Sequence, residues 1–97
     1  MTSEDFKHLA SVDHLNLPLQ ALWHDEAGDW SRAHEVCQMA ENRDGDWVHA
    51  YLHRKEGDIA NARYWYSRAG RPAPSIGTPL TEEWSAIAEA LLASCKT

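Results

Sequence analysis

The amino-acid sequence predicts an all-α protein: a short right-handed stack of antiparallel helical hairpins, with about five or six helices including flanking caps. Three observations lead to this prediction. Residues 21–40 align without gaps on residues 50–69, with six of the twenty positions identical. Each copy is divided by a Gly-Asp pair, and apolar residues recur at intervals of three and four after it, as on one face of a helix. Self-similar units of this size normally stack, because each buries its apolar face against the next.

Composition limits the class of protein. The 97 residues suit one small domain, and 43% of them are hydrophobic, which is enough for a core. The net charge of −6 argues against nucleic-acid and anionic-membrane binding, since both need a basic surface. The apolar runs are too short to span a bilayer, and the first residues have no signal-peptide pattern. The two cysteines form no CxxC pair. We therefore expect a cytoplasmic protein with reduced thiols.

The first elements are an N-terminal helix within residues 1–16 and a hairpin over residues 17–41. Ser3 is a suitable N-cap for a helix over Ser3–His14, with acidic residues in its first turn. The hairpin begins near Leu17, tolerates Pro18 in its first turn, and continues after Gly-Asp with a helix over Trp30–Glu41. In both copies the glycine fits a left-handed helix stop, and the aspartate fits the next N-cap.

The second hairpin is predicted over residues 46–70, with helices at about 47–56 and 59–69. The preceding "NRDGD" (residues 42–46) is typical of a polar turn. Residues 71–80 belong to a proline-rich loop, because prolines and glycines crowd the string "GRPAPSIGTP". Thr81 is the expected N-cap of a C-terminal helix over residues 81–97, which would cap the stack.

The two strings that follow the helix stops resemble the second helix of a tetratricopeptide repeat. They are "GDWSRAHEVCQMA" and "GDIANARYWYSRA", with the turn glycine, the close-contact alanine and the final alanine of that repeat. The resemblance covers about residues 17–72. The copies are 29 residues apart, against ~34 in the family, and His24 and His53 replace its usual aromatic. The string "WVHAYLHRKEGDIANARYWYSRAGRP" is also similar to a small group of uncharacterised bacterial and fungal proteins, a resemblance that implies no activity.

The tetratricopeptide resemblance implies a concave groove lined by the first helix of each hairpin. Carried onto this chain, the groove residues are Trp47, Tyr51, Arg54, Lys55, Leu22, Asp25 and Glu26. Aromatic anchors with charges of both signs suit a short peptide or an acidic chain end. This implies a non-catalytic interaction module with a protein or peptide partner and no cofactor. The alternative is that a terminal helix fills the groove.

A second hypothesis is a small histidine- or metal-dependent enzyme. His49, His53 and Glu56 lie at i, i+4 and i+7, and two histidines one turn apart can hold Zn²⁺. The residues identify no third ligand, although His24 is related to His53 by the repeat. The alternative is that His24 and His53 pack at the aromatic position of the repeat. We therefore predict no metal and no catalytic residue, with His49 and His53 as the metal candidates of this hypothesis.

Two further features have ordinary explanations beside functional ones. The segment 61–71 mixes arginines with aromatic residues, which is typical both of a binding surface and of an amphipathic helix. Cys37 lies on the core stripe of its helix, so a buried inert thiol is favoured over a nucleophile paired with His34.

A third hypothesis is a self-associating structural protein, in which an exposed tryptophan-rich face forms a homodimer.

Overall fold

The structure, a computed structural model, describes residues 1–94 and is all-α over that range. Its helices are α1 (Ser3–Lys7), α2 (Leu17–Glu26), α3 (Trp30–Met39), α4 (Arg43–Glu56), α5 (Ile59–Ala69) and α6 (Leu80–Ser94). The pairs α2/α3 and α4/α5 form two consecutive hairpins, hairpin one and hairpin two. The all-α prediction is therefore confirmed. None of the helices described is both long and apolar enough to cross a membrane.

The two hairpins turn in the same way. Gly28 and Gly57 both have a φ of 90°, the left-handed backbone that a side chain disfavours. The following residues, Asp29 and Asp58, are the N-caps of α3 and α5. The Asp29 carboxylate accepts from the Arg32 amide at 3.0 Å, and Asp58 accepts from the Asn61 amide at 3.3 Å. The predicted role of Gly-Asp as a helix stop and helix start is thus confirmed.

The N-terminal helix is much shorter than the predicted Ser3–His14. It ends at Lys7, and its N-cap is Thr2 rather than Ser3, because the Thr2 hydroxyl accepts from the Asp5 amide at 3.1 Å. The chain leaves the helix after His8 and buries Val12 against the core. The Trp23 indole donates to the Leu9 carbonyl at 3.1 Å. Tertiary contacts of this irregular segment therefore replace the extra helical turns.

The predicted polar turn over residues 42–46 is wrong, because α4 already begins at Arg43. Asn42 is its N-cap and accepts from the Gly45 amide at 2.7 Å. A Cβ on Gly45 would lie only 2.7 Å from the Cβ of Ala40. The glycine therefore lets the first turn of α4 approach the end of α3. From composition alone, a glycine needed for close helix packing looks the same as a glycine in a turn.

The last helix begins one residue earlier than predicted. The Pro79 carbonyl accepts from the amides of Glu82 and Glu83 at 3.1 and 3.2 Å, so Thr81 lies in the first turn and is not the N-cap. The remainder of the predicted helix, residues 95–97, lies outside the described part of the chain.

The core is formed where α6 lies across the first helices of both hairpins. Trp84 stacks on Phe6 with ring centroids 5.7 Å apart, and its indole donates to the Leu22 carbonyl at 3.0 Å. Among the described helices, α6 packs against α1, α2 and α4, whereas α5 packs against α4 and reaches α6 through the hydrogen bond of Tyr66 to Glu83. One side of the stack is therefore covered by helix, and the outer side of α5 is not.

Candidate functional site

Three imidazole rings converge where the two hairpins meet. His34 comes from α3 of hairpin one, and His49 and His53 come from α4 of hairpin two. One ring nitrogen of each lies within 4.8 Å of the other two. The closest pair is His34 Nε2 and His49 Nε2, which are 2.9 Å apart. This histidine cluster brings together residues that are 15 positions apart in the sequence.

Local structure fixes two of the rings, and helix packing supplies the third. His49 and His53 are one helical turn apart, so their side chains lie on the same face of α4. Trp30 holds α3 against that face, since its indole donates to the Leu52 carbonyl at 2.9 Å. The Trp30 ring also stacks on His34, with centroids 4.9 Å apart and planes 9° from parallel. Trp30 therefore sets both the distance between the helices and the orientation of the His34 ring.

A second tryptophan closes the other side of the histidine cluster. Trp65 of α5 stacks on His49 with centroids 4.0 Å apart. Only 4% of His49 and 7% of His53 remain exposed, whereas His34 is half-buried. The two rings on α4 are therefore largely shielded from solvent, and the His34 ring is the most exposed of the three.

Burial keeps two of the rings neutral. Burial, and to a lesser extent the nearby rings of His34 and His53, lower the pKa of His49 to about 4. The pKa of His34 is also lowered, first by burial and then by the charge of His53, which outweigh the opposing effect of Glu56. Both rings are therefore uncharged at neutral pH, and in their 2.9 Å contact one Nε2 donates to the other. Metal binding requires imidazole in this neutral form.

The third ring is oriented by a carboxylate. His53 Nδ1 lies 2.6 Å from Glu56 Oε1, where the ring N–H donates to the carboxylate. The other ring nitrogen, Nε2, lies 3.5 Å from the amide nitrogen of Asn61. A histidine that donates one nitrogen to a carboxylate presents the lone pair of the other, the arrangement found behind metal-ligating histidines. Glu56 thus fixes the orientation of the His53 ring, with Nε2 facing Asn61.

A second group of potential ligands overlaps the first. His53, Glu56 and Asp58 also have one ligand atom each within 4.8 Å of one another. Glu56 and Asp58 are exposed, however, and the Asp58 carboxylate already caps α5. The three histidines are the better ligand set, because each contacts neighbouring rings and two of them are at most 7% exposed.

A pocket of about 610 Å³ lies next to the cluster. His49, Trp65 and Cys37 line it, together with the polar side chains of Gln38, Glu41, Asn42, Arg43, Asp46 and Arg68. A small polar molecule could therefore reach the edge of the His49 ring from solvent.

The structure joins the two predicted metal candidates to an unexpected third residue. His49 and His53 lie together, but the histidine that completes the group is His34 and not His24. His24 lies on hairpin one, edge-on to Trp23 with centroids 5.3 Å apart. The Cys37 thiol donates to the His34 backbone carbonyl at 3.2 Å, and burial raises its pKa to about 12. The alternative Cys–His pair is therefore not formed, and Cys37 is a buried inert thiol.

Most residues of the predicted groove are engaged in contacts within the chain. Leu22, Asp25 and Tyr51 are at most 3% exposed. The Tyr51 hydroxyl donates to Asp25 Oδ2 at 3.1 Å, and Lys55 Nζ lies 2.9 Å from Asp25 Oδ1. The opposite charges of the two copies thus join hairpin one to hairpin two.

The remaining groove residues contact the flanking segments. Arg54 donates to Glu83 of α6 at 2.8 Å. The Arg71 guanidinium lies 3.9 Å from the centroid of the Trp47 ring. The side chain of Glu26 is exposed and 3.7 Å from Lys7 Nζ. Since α6 and the N-terminal segment lie over this face, peptide binding there stays a prediction with little open surface to support it.

Comparison of the chain with protein-family models, with curated proteins and with solved structures gives no match.

Proposed function

We propose that this protein binds one transition-metal ion of the zinc class through His34, His49 and His53, with a coordination position left open. The observation that carries the proposal is the convergence of three imidazoles within 4.8 Å. Neutral rings, stacked tryptophans and the carboxylate behind His53 support it, since each of these features holds a ligand in the form and direction that a metal needs.

The ligand set selects the class of metal. Imidazole nitrogen suits Zn²⁺, Cu²⁺, Ni²⁺ and Co²⁺, whereas Mg²⁺ and Ca²⁺ take oxygen ligands. Two nitrogens bound to one tetrahedral ion at about 2.05 Å are about 3.3 Å apart. The 2.9 Å between His34 and His49 would therefore widen by a few tenths of an ångström. The half-buried ring of His34 can make that movement, and the N–H proton of the donating ring would move from Nε2 to Nδ1, so that both Nε2 atoms present a lone pair.

Three protein ligands leave room for a water molecule or a small anion. Structural zinc sites are closed by four protein ligands, whereas catalytic zinc sites have three and an exchangeable water. Zinc lowers the pKa of such a water to about 7, which supplies hydroxide at neutral pH. The neighbouring pocket reaches the site on the His49 side, so a small polar ligand could approach the metal from there.

The test is metal titration of the purified, chelator-treated protein. We expect one equivalent of Zn²⁺ or Co²⁺ to bind, and the visible absorption of bound Co²⁺ to report nitrogen coordination of low symmetry. Replacing any of the three ligands, as in His34→Ala, His49→Ala or His53→Ala, should weaken binding by at least about 100-fold. His24→Ala is the matched control, because it removes the repeat-related histidine that lies outside the cluster, and it should bind as the wild type does.

Far-ultraviolet circular dichroism separates loss of metal from loss of fold. Folded variants of the three ligands that still bind one equivalent with wild-type affinity would overturn the proposal. Equal weakening by His24→Ala and His49→Ala would also overturn it, because binding would then come from surface histidines in general.

A further inference from the structure

The repeat identifies a surface of α5 that ought to be covered. The 29-residue offset matches Trp30, Ala33, His34 and Cys37 of α3 with Ile59, Ala62, Arg63 and Tyr66 of α5. In hairpin one, α4 packs on this surface, as the contacts of Trp30 and His34 with α4 show. In hairpin two, Ala62 and Tyr66 are buried, and the Tyr66 hydroxyl donates to Glu83 of α6. Ile59 and Arg63 are exposed, and no described helix packs on them. The part of α5 that matches Trp30 and His34 is therefore left open.

The same surface is one wall of a groove of about 660 Å³, which we call the α5–loop groove. Its residues are Arg54, Ile59, Ala62, Arg63, Tyr66, Ala73, Pro74, Ser75, Ile76, Thr78 and Leu80. They are apolar or hydroxyl-bearing residues and two arginines, with no acid, although the chain has a net charge of −6. The groove thus differs in charge from the protein as a whole.

Two strongly exposed apolar side chains line this groove. Ile76 is 94% exposed and Ile59 is 46% exposed. In hairpin one, the residue at the position of Ile59 is Trp30, which is covered by its contacts with α4. Isoleucines left in water beside a groove are typical of a docking surface.

The loop that forms the second wall is held in place. Arg54 bonds to both Glu83 and the Thr78 carbonyl, and the Thr78 amide donates to the Ser75 carbonyl at 2.9 Å. Glu83 also accepts the hydroxyl of Tyr66, which fixes the groove floor to α6. A preformed groove lowers the entropy cost of binding, because less of the protein must be ordered.

The charges indicate what would bind. Glu83 neutralises Arg54, but Arg63 makes no ion pair or hydrogen bond within residues 1–94. At the equivalent position of hairpin one, His34 meets His49 of the incoming helix. A helix packed on α5 as α4 packs on α3 would place one of its residues against Arg63. A carboxylate at that position would complement the charge of Arg63.

We infer that the α5–loop groove docks an amphipathic helix of a partner protein, which carries an apolar stripe and a carboxylate opposite Arg63. A two-fold dimer through this groove is disfavoured, because it would place one Arg63 near the other. No helix in the described part of the chain has an exposed apolar stripe with which a second copy could fill the groove. The occupant is therefore a different chain, packed on α5 as α4 packs on α3.

The probe is a synthetic amphipathic peptide of about 16 residues, acetylated and amidated, with leucines at intervals of three and four and one glutamate beside them. Chemical-shift mapping on the labelled protein should locate binding at α5 and the 71–79 loop. Ile76→Ser should weaken binding about tenfold. Met39→Ser is the matched control, because Met39 is also an exposed apolar residue, at 59%, but lies on α3 outside the groove.

Charge reversal tests the partner chemistry. Arg63→Glu should weaken binding of the peptide about fivefold, and a peptide with lysine in place of the glutamate should regain it. No shift in the groove resonances would overturn the inference, as would equal effects of Ile76→Ser and Met39→Ser or absence of rescue by lysine. Sedimentation that shows a dimer abolished by Ile76→Ser would overturn the assignment to a different chain. The readout involves no metal, so its failure is distinct from that of the proposed metal site.

Discussion

The two hairpins have one scaffold but differ in what covers them. Both turn at a glycine with φ of 90°, and both start their second helix on an aspartate. The second helix of hairpin one is buried by α4, and the histidine cluster lies in that interface. The second helix of hairpin two faces the α5–loop groove instead. The residues that the two copies share are needed for the fold. We therefore expect function where the copies differ, which is on the outer surface of the second helix of each hairpin.

The two copies also differ in the charged residues before the Gly-Asp turn, and these charges pair with one another. Asp25 of hairpin one and Lys55 of hairpin two form an ion pair at 2.9 Å, with the Asp25 side chain only 1% exposed. Opposite charges at neighbouring repeat positions therefore serve to hold the hairpins together. They leave less of that face for an outside partner than the sequence suggested.

The largest expected effect comes from breaking this contact between the hairpins. Asp25→Ala removes the acceptor of the buried Tyr51 hydroxyl and the partner of Lys55, and should destabilise the fold by about 3 kcal/mol. At the usual scaling for a domain of this size, the midpoint of thermal unfolding should fall by about 15 °C. The neighbouring exposed acid gives the control: Glu26→Ala should change stability by less than about 0.5 kcal/mol. Equal thermal shifts for the two variants would show that the contact does not join the hairpins.

The next effect tests whether the carboxylate behind the histidine cluster belongs to the site. Glu56→Ala should weaken Zn²⁺ binding by about 10- to 100-fold, since His53 loses the acceptor that orients it. Glu56→Gln retains an acceptor oxygen and should recover part of the affinity. Isothermal titration with Zn²⁺ measures both, and Glu35→Ala removes an exposed acid of α3 as the control. Identical affinities for Glu56→Ala and Glu35→Ala would mean that the 2.6 Å contact of His53 with Glu56 plays no part in coordination.

The sequence was sufficient for the hairpins because their signals are local. A glycine at a left-handed stop, an aspartate at an N-cap and a stripe of apolar residues each act within one or two turns of helix. It was insufficient at residues 8–16 and 42–46, where tertiary packing decides. Gly45 serves close approach to Ala40, and the segment after α1 is held by its contact with Trp23.

Two of the three histidines of the candidate site could be predicted from the sequence, because their signal is also local. His49 and His53 are one turn apart on a single helix, so their proximity follows from spacing. His34 joins them only because α3 packs on α4 in a particular register, which depends on Trp30. A signal was present, since His34 follows Trp30 by one turn on the covered side of α3, but only the packing shows which helix it faces.

The histidine interface should also make the stability of the metal-free protein depend on pH. Burial lowers the pKa of His49 to about 4 and lowers that of His34, so the unfolded chain takes up protons more readily than the folded one. Stability should therefore be complete above pH about 6.5 and fall as the pH drops towards 4. Urea unfolding between pH 7.5 and 4.5 measures the fall. His49→Gln should show a shallower fall than the wild type, whereas His24→Gln should show the same one, and a wild-type stability that rises as the pH drops would contradict the assignment.

The smallest effect separates what the two helix caps do. Asp29→Ala and Asp58→Ala should each cost about 1 kcal/mol in urea unfolding, because each removes one capping bond from the same position of the repeat. Only Asp58 also accepts from the Asn61 side chain, at 3.4 Å, and Asn61 in turn lies beside His53. Asp58→Ala should therefore weaken Zn²⁺ binding a few-fold, while Asp29→Ala leaves it unchanged. If the two variants lose equal stability but only Asp58→Ala weakens Zn²⁺ binding, Asp58 both caps α5 and supports the metal site. If the two variants bind Zn²⁺ equally well, Asp58 acts only as a helix cap.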